Sequence, residues 1–261
     1  MNYKELFDMT NKVCIVTGGA GYLGSACCKA LKDFGATVVS LDVLYSSENQ
    51  PSKEEADLGL YCDLASTDSI KECFSKTQDI FGRIDVLVNC GIFGAGYGKD
   101  SRIEFMDDET WKKGIDGSLG VTFRGIREIV PYMKENGGSI INFCSMYGLV
   151  SPDLRIYGPD NPQTNPPNYG AGKAGVAQLT RYAACSLAKY NIRVNAVTPG
   201  PFPKPANATD SEFMASLGNK NMLGRTGKNH EIAGAVLLLA SDASTYTTGS
   251  NIVVDGGWTA W

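Results

Sequence analysis

A chain of 261 residues that is 43% hydrophobic and 20% charged has the balance of a globular protein and the length of one large α/β domain. Its net charge of −4, with lysine and arginine scattered rather than clustered, excludes nucleic acid as an expected partner. No apolar run approaches the roughly 18 residues of a membrane helix, and "MNYKELFDMTNK" lacks the apolar core of a signal peptide; a cytoplasmic location with no membrane partner is expected.

Seven apolar runs follow in chain order, at 12–17, 36–42, 59–63, 83–89, 138–144, 191–198 and 250–255. Most are continuous and β-branched rather than alternating, as in parallel strands covered on both faces. Helical stretches lie between them. In "STDSIKECFSKTQDIFG", Ile70, Cys73, Phe74, Thr77, Ile80 and Phe81 fall on one face, and Ser66 or Thr67 caps the start. The repeated βα unit predicts a doubly wound, seven-stranded parallel sheet of the Rossmann type. It forms a single domain, 1–261, whose ligand site lies at the carboxyl ends of the strands. Three segments break the pattern: a polar surface loop at 43–58, a proline-rich stretch at 146–168, and 199–226, which opens "PGPFPKP" and is expected to form a lid.

Eight cysteines form no C-x-x-C pair and sit mostly in apolar runs such as "VCIV", so they read as small buried hydrophobes. Cys90 and Cys144 are the candidates for an accessible thiol. His230 is the single histidine, in a segment that reads as a helix start, and no histidine-rich metal site is expected. The chemistry must come from other residues.

"VCIVTGGAGYLGSACCKAL" places Gly18, Gly21 and Gly24, with Gly19 giving an overlapping spacing, between a strand and an apolar helix. Glycines there let the backbone approach a pyrophosphate whose charge meets the helix N-terminus. Asp42 ends the second strand, 24 residues after Gly18. A carboxylate there accepts from both hydroxyls of an adenosine ribose and repels a 2′-phosphate, so NAD is expected over NADP. The tempting "GIFGAGYGKDS" at 91–101 has Phe93 and Asp100 where a phosphate-binding P-loop needs glycine and Ser or Thr. It is read as a glycine-rich loop only.

Two tyrosines, Tyr157 and Tyr169, compete for an acid–base role. Bringing a phenol from about 10 to about 7 takes roughly 4 kcal/mol. An ammonium about 4 Å away supplies that at an effective dielectric of about 20, but only about 1 kcal/mol in bulk water. A helix places residue i+4 on the same face. Tyr169 has Lys173 there, in "YGAGK"; Tyr157 has the uncharged Asn161. Tyr169 is the expected acid/base.

With "LFDMTNKVCIVTGG", "YCDL", "IDVLVN", "SMYG", "YGAGK", "NIRVNAVTPG" and "NIVVDGG" in place, nearly the whole chain resembles the short-chain dehydrogenase/reductase family, in its single-domain branch. The resemblance implies that Ser145 hydrogen-bonds the reacting oxygen, that Tyr169 is the general acid/base, and that Lys173 lowers its pKa and holds the nicotinamide ribose. It assigns Tyr22 and Leu23 to the glycine loop, Asp63 and Leu64 to the adenine, Asn89 to the cofactor cleft, and Pro199 and Gly200 to the nicotinamide side. It also implies a homotetramer or homodimer, to which Trp258 and Trp261 of "GGWTAW" either contribute or do not, packing instead on their own subunit.

The departures from the family pattern are specific. Ser145 and Tyr169 are 24 residues apart rather than about a dozen, which implies an insertion at about 149–166. Ser118 stands where the family has a proton-relay asparagine, and its hydroxyl is expected to hold the same water. "NCGI" replaces Asn-Asn-Ala-Gly, and "PFPK" replaces the threonine after "PG". "TGGAGYLG" is similar to the extended, two-domain branch of sugar-nucleotide enzymes, but no second domain fits. The insertion is expected to wall the substrate side. Tyr147, Arg155, Tyr157 and Lys204 are its candidate contacts, and Asp153, Asp160, Asn161, Gln163 and Asn165 are further polar members. Such a wall suits a sugar or sugar derivative, in keeping with a resemblance to oxidoreductases of surface-glycan and flagellin modification. An NADPH-dependent 3-oxoacyl-carrier reductase and a non-catalytic dinucleotide-binding protein are the alternatives.

Overall fold

The computed structural model describes residues 2–94, 101–158, 164–208 and 210–261. All seven expected strands form, as β1 Val13–Thr17, β2 Thr37–Asp42, β3 Leu58–Tyr61, β4 Val86–Asn89, β5 Gly138–Phe143, β6 Ile192–Pro199 and β7 Asn251–Val254. They pair in parallel in the order β3-β2-β1-β4-β5-β6-β7. The order reverses between β1 and β4, where Thr17 lies opposite Asn89. A crevice opens at such a reversal because the helices on either side depart in opposite directions.

Side chains of β1 alternate between the two faces. Cys14 and Val16 pack with Cys27 and Leu31 of α1 (Tyr22–Asp33) and Val236 of α7 (His230–Ala240). Ile15 packs on the other face with Phe74 of α2 (Thr67–Phe81), Ile129 of α4 (Val121–Met133) and Ala183 of α5 (Pro167–Leu187). Ser66 caps α2 by accepting from the Ser69 amide at 3.2 Å. Ile70, Cys73, Phe74 and Thr77 are buried as expected, but Ile80 is 52% exposed: it falls on the edge of the stripe, where the helix leaves the sheet.

A polar thread crosses this apolar core. Asn89 Nδ2 donates to Asn142 Oδ1 at 2.9 Å, and Asn142 Nδ2 donates to Thr180 Oγ1 at 3.0 Å. All three are buried, so the thread fixes α5 against β4 and β5 with its polar groups paired. Before α4, α3 (Asp108–Ile115) runs through one wide π turn, Asp116–Gly120. The proline-rich stretch contains a short 3-10 turn, Leu154–Tyr157, and the expected lid carries α6 (Ser211–Asn219). Pro159, Asp160, Asn161, Pro162 and Gln163 of the insertion lie outside the described residues, as does 95–100 of the glycine-rich loop. Among the described residues no helix is long and apolar enough to cross a membrane, and no cluster of potential metal ligands occurs.

Candidate active site

The crevice is a cleft of about 490 Å³ running from Asp42 and Asp63 at one end to Tyr169 and Lys173 at the other. Its floor is the turn between β1 and α1. Gly18 has φ +66°, a conformation side chains resist, and a Cβ on Gly24 would stand 2.1 Å from the Gly18 carbonyl oxygen. The turn is therefore closed to any other residue at these positions, and its backbone is bare toward the cleft. That is the fit a pyrophosphate requires. Asp42 braces the turn, Oδ2 accepting from the Ala20 amide at 3.2 Å and Oδ1 from the Leu44 amide at 3.1 Å. Among the described residues the basic ones in the cleft wall are Lys173 and Lys204.

Of the residues singled out from sequence, Gly18, Gly21, Tyr22, Leu23, Gly24, Asp42, Asp63, Leu64, Tyr169, Lys173, Pro199 and Lys204 line this cleft, whereas Ser145 stands behind its wall. Two expected cofactor residues do not line it either. Asn89 is turned into the polar thread with Asn142, and Gly200 is pressed against Asp255, so both support the wall from behind. Conversely, Gly91, Ile92 and Phe93 after β4 and Phe202 after β6 enter the wall unforeseen. Their signal was positional only, since each follows the carboxyl end of a strand.

Ser145 follows β5 in extended conformation, and its Oγ accepts from the Tyr147 amide at 3.2 Å, capping the turn Met146–Gly148. Tyr169 lies in the first turn of α5. Lys173, one turn on, is 3% exposed; its Nζ donates to the Phe143 carbonyl at 2.6 Å and lies 5.9 Å from the centre of the Tyr169 ring. Burial holds the Lys173 ammonium below its usual pKa, partly offset by the neighbouring Cys144 and Cys90. Both thiols border the cleft, Cys90 half-buried and Cys144 buried, and burial pushes both up, Cys90 to about 12, so neither is an activated thiolate. The exposed cysteine is Cys185.

Ser118 corrects an expectation. It sits in the π turn, 2% exposed and outside the cleft wall; its Oγ donates to the Gly114 carbonyl at 2.8 Å and abuts Gly172. A hydroxyl committed to that carbonyl is a helix-packing contact, not a donor toward the cleft.

The described charges of the insertion do not line the cleft, and Asp160, Asn161 and Gln163 lie outside the described residues. Arg155 turns away from the cleft to Asp153, with bonds of 2.8 Å from Nε and Nη2, and borders a separate cavity of about 570 Å³. Asp153 also takes Lys220 at 2.6 Å, just past α6, and these cations hold its carboxyl well below the usual range. The charges of the insertion thus fasten it to the lid. Its single aromatic residue, Tyr157, joins an aromatic cluster beside the lid rather than the cleft wall itself. Tyr157 packs on Phe213 of α6 with ring centres 5.6 Å apart, and its hydroxyl meets that of Tyr147 at 3.3 Å. Tyr147 in turn meets Trp258 edge-on at 6.2 Å. Trp258 therefore packs on its own chain, whereas Trp261 is 73% exposed.

Comparison with known proteins agrees with this geometry. A family model described as Enoyl-(Acyl carrier protein) reductase matches residues 19–259. The 3-oxoacyl-[acyl-carrier-protein] reductase FabG of Thermotoga maritima is 39% identical over 95% of this chain and 98% of its own. The trans-4-hydroxycyclohexanecarboxylate dehydrogenase of Sinomonas cyclohexanicum is 35% identical, covering 97% and 94%. A short chain dehydrogenase from Leptospira borgpetersenii, solved with bound NAD+, superposes with a TM-score of 0.85 at 30% identity, covering 99% of this chain and 96% of that one. Cradle, tyrosine–lysine pair, strand order and these likenesses converge, and the chain belongs to the short-chain dehydrogenase/reductase family, its relatives being oxidoreductases.

Proposed function

We propose that this enzyme interconverts a secondary hydroxyl and a ketone on a compact, hydroxyl-bearing ring, preferring NAD and using Tyr169 as general acid/base. The observation that carries the reading is one cleft with Asp42 at its adenosine end and the Tyr169–Lys173 pair at the other. Bound NAD supplies the hydride chemistry. The chain's own residues do the rest. Tyr169 holds and moves the proton at the reacting oxygen, Ser145 donates to that oxygen, and the buried Lys173 ammonium favours the phenolate in a site with little water to screen it.

The substrate side supports a ring. Tyr147, Tyr157, Phe213 and Trp258 cluster beside the lid, and a substrate that reached them past the cleft would meet aromatic faces suited to the C–H faces of a small ring. We retain a sugar or sugar derivative as the first class, with Lys204 facing an anionic substituent. A carbocyclic hydroxy acid is the nearest variant, and the 35% identity to the hydroxycyclohexanecarboxylate dehydrogenase favours including it. A 3-oxoacyl-carrier reductase is the second reading, favoured by the 39% identity to FabG and opposed by the Asp42 carboxylate, which would repel a 2′-phosphate at the end of β2. A panel of sugars, polyols, hydroxycyclohexane carboxylates and an acetoacetyl thioester, each with both cofactors, separates these. Ring alcohols are expected to turn over with NAD. Turnover of the thioester alone, with NADPH, would install the second reading, and any turnover excludes a non-catalytic binding protein.

Cofactor preference is expected to rest on Asp42. Asp42→Ala should weaken NAD, relieve repulsion of NADP, and shrink the preference by about 1–3 kcal/mol, the scale of a charged hydrogen bond. Ratios of kcat/KM for the two cofactors measure it, and a wild-type preference for NADP would overturn the assignment. For assembly we infer a homotetramer or homodimer, since Trp111, Phe123 and Tyr182 leave apolar surface exposed on α3, α4 and α5. A reducing cytoplasm suits eight free thiols.

A further inference from the structure

Helix α5 carries both Tyr169 and Lys173, yet its first turn has no side-chain cap: it begins at Pro167, with Pro166 before it, directly after the insertion. Something else must fix its rotation, because rotation decides where the Tyr169 hydroxyl stands. Asn168, the second residue of the helix, is wholly buried, and its Nδ2 donates to the Thr110 carbonyl on α3 at 2.9 Å. The amide fits because Gly114 leaves a gap: a Cβ there would stand 2.1 Å from Asn168 Nδ2. One turn along α5, Gly172 makes the same close fit to Ser118 Oγ, where a Cβ would stand 1.9 Å away. Asn168 and Gly172 therefore face α3 and the π turn, while Tyr169 and Lys173, each one residue on and about 100° round the helix, face the cleft.

Asn168 Oδ1 is buried with no hydrogen-bond partner. A buried amide oxygen left unpaired costs stability, and filling space alone would be met at least as well by an apolar side chain. The polar group is explained if its directional bond is what matters.

We propose that Asn168 is a positioning residue. Its bond to the Thr110 carbonyl, seated in the gap at Gly114, sets the rotation of the first turn of α5 and hence the Tyr169 hydroxyl relative to Lys173 and Ser145. This rests on Tyr169 being the acid/base. A displacement of about 1 Å at a reacting group costs on the order of 10²-fold in rate.

The test uses the full-length enzyme with NAD and cyclohexanol as a generic probe, alongside the best substrate of the panel. Asn168→Leu, close in size, is expected to lower kcat by about 10–100-fold and to move the acidic limb of the pH profile by about half a unit or more. KM for NAD should stay within about twofold and Tm should hold or rise, because the unpaired oxygen is gone. A kcat within about twofold of wild type with an unmoved pH limb overturns the proposal. So does a loss of rate that tracks a loss of Tm with an unmoved limb, which would be a structural role only. Gly114→Ala supplies an independent arm should the leucine variant not fold. It acts by displacing Asn168, so its loss of rate should largely vanish in an Asn168→Ala background, and additive losses overturn the proposal. If Tyr169→Phe keeps full activity, the catalytic assignment itself fails; if only the Asn168 arms fail, the positioning role alone is lost.

Discussion

Tyr169→Phe is expected to lower kcat by about 10³-fold or more while leaving NAD affinity within about threefold. General acid–base contributions run to about 10²–10⁴, and the variant loses the proton that is transferred, leaving Ser145 to hydrogen-bond the reacting oxygen. The ring itself stays. Tyr169 packs by its apolar body against Met146, Tyr147, Leu217 and Trp258, and phenylalanine keeps those contacts, so Tm should move little. The pyrophosphate cradle lies at the β1–α1 turn and never calls on the phenol. Tyr157→Phe is the matched control. It loses the hydroxyl contact to Tyr147 at 3.3 Å, a long bond, and should keep most turnover with a changed KM for ring substrates. Steady-state absorbance at the reduced cofactor, paired with titration of NAD binding, checks both variants. Loss of catalysis in the Tyr157 variant and not in the Tyr169 variant would reverse the assignment.

The pairing of Tyr169 with Lys173 was legible because a helix repeats: Lys173 four residues after Tyr169 is a statement about period, and the structure places both in one cleft. The strands were legible for the same kind of reason, since seven β-branched runs alternating with amphipathic stretches leave few arrangements open. What the sequence hid depends on pairs distant along the chain. Asp153 and Arg155 look like substrate contacts until Lys220 arrives from the end of α6, after which their charges are spent on each other. Asn89 reads as cleft lining until Asn142 on the adjacent strand claims its amide. Ser118 looks like a relay by alignment with an asparagine, but the π turn directs its hydroxyl to the Gly114 carbonyl. Polar residue type predicts an appetite for hydrogen bonds, and only the fold decides what satisfies it.

Lys173→Met should be the second severe loss, lowering kcat by about 10²-fold or more, and it carries a stability signature that separates charge from shape. Burial holds the Lys173 ammonium of the folded chain below the ordinary value of 10.5, which the unfolded chain keeps. Below the folded pKa both states bind the proton, and the native state carries the full cost of a buried charge. Between the folded pKa and 10.5 the unfolded state binds a proton that the native state does not, so stability rises with pH, by at most about 1.4 kcal/mol per unit. Above 10.5 both states are neutral and the cost is gone. Methionine has no such proton. Groups remote from Lys173 are common to both proteins and cancel in the difference, while Cys90, Cys144 and Tyr169, which feel its charge, are replaced in both proteins compared (Cys90→Ala, Cys144→Ala, Tyr169→Phe). Urea unfolding of the cofactor-free proteins from neutral pH upward is therefore expected to show the chain that keeps Lys173 gaining on its Lys173→Met counterpart as pH rises. Parallel curves across that range would mean that Lys173 carries no burial penalty in the folded chain, and the account of how its charge is held against the Tyr169 phenol would fall with it.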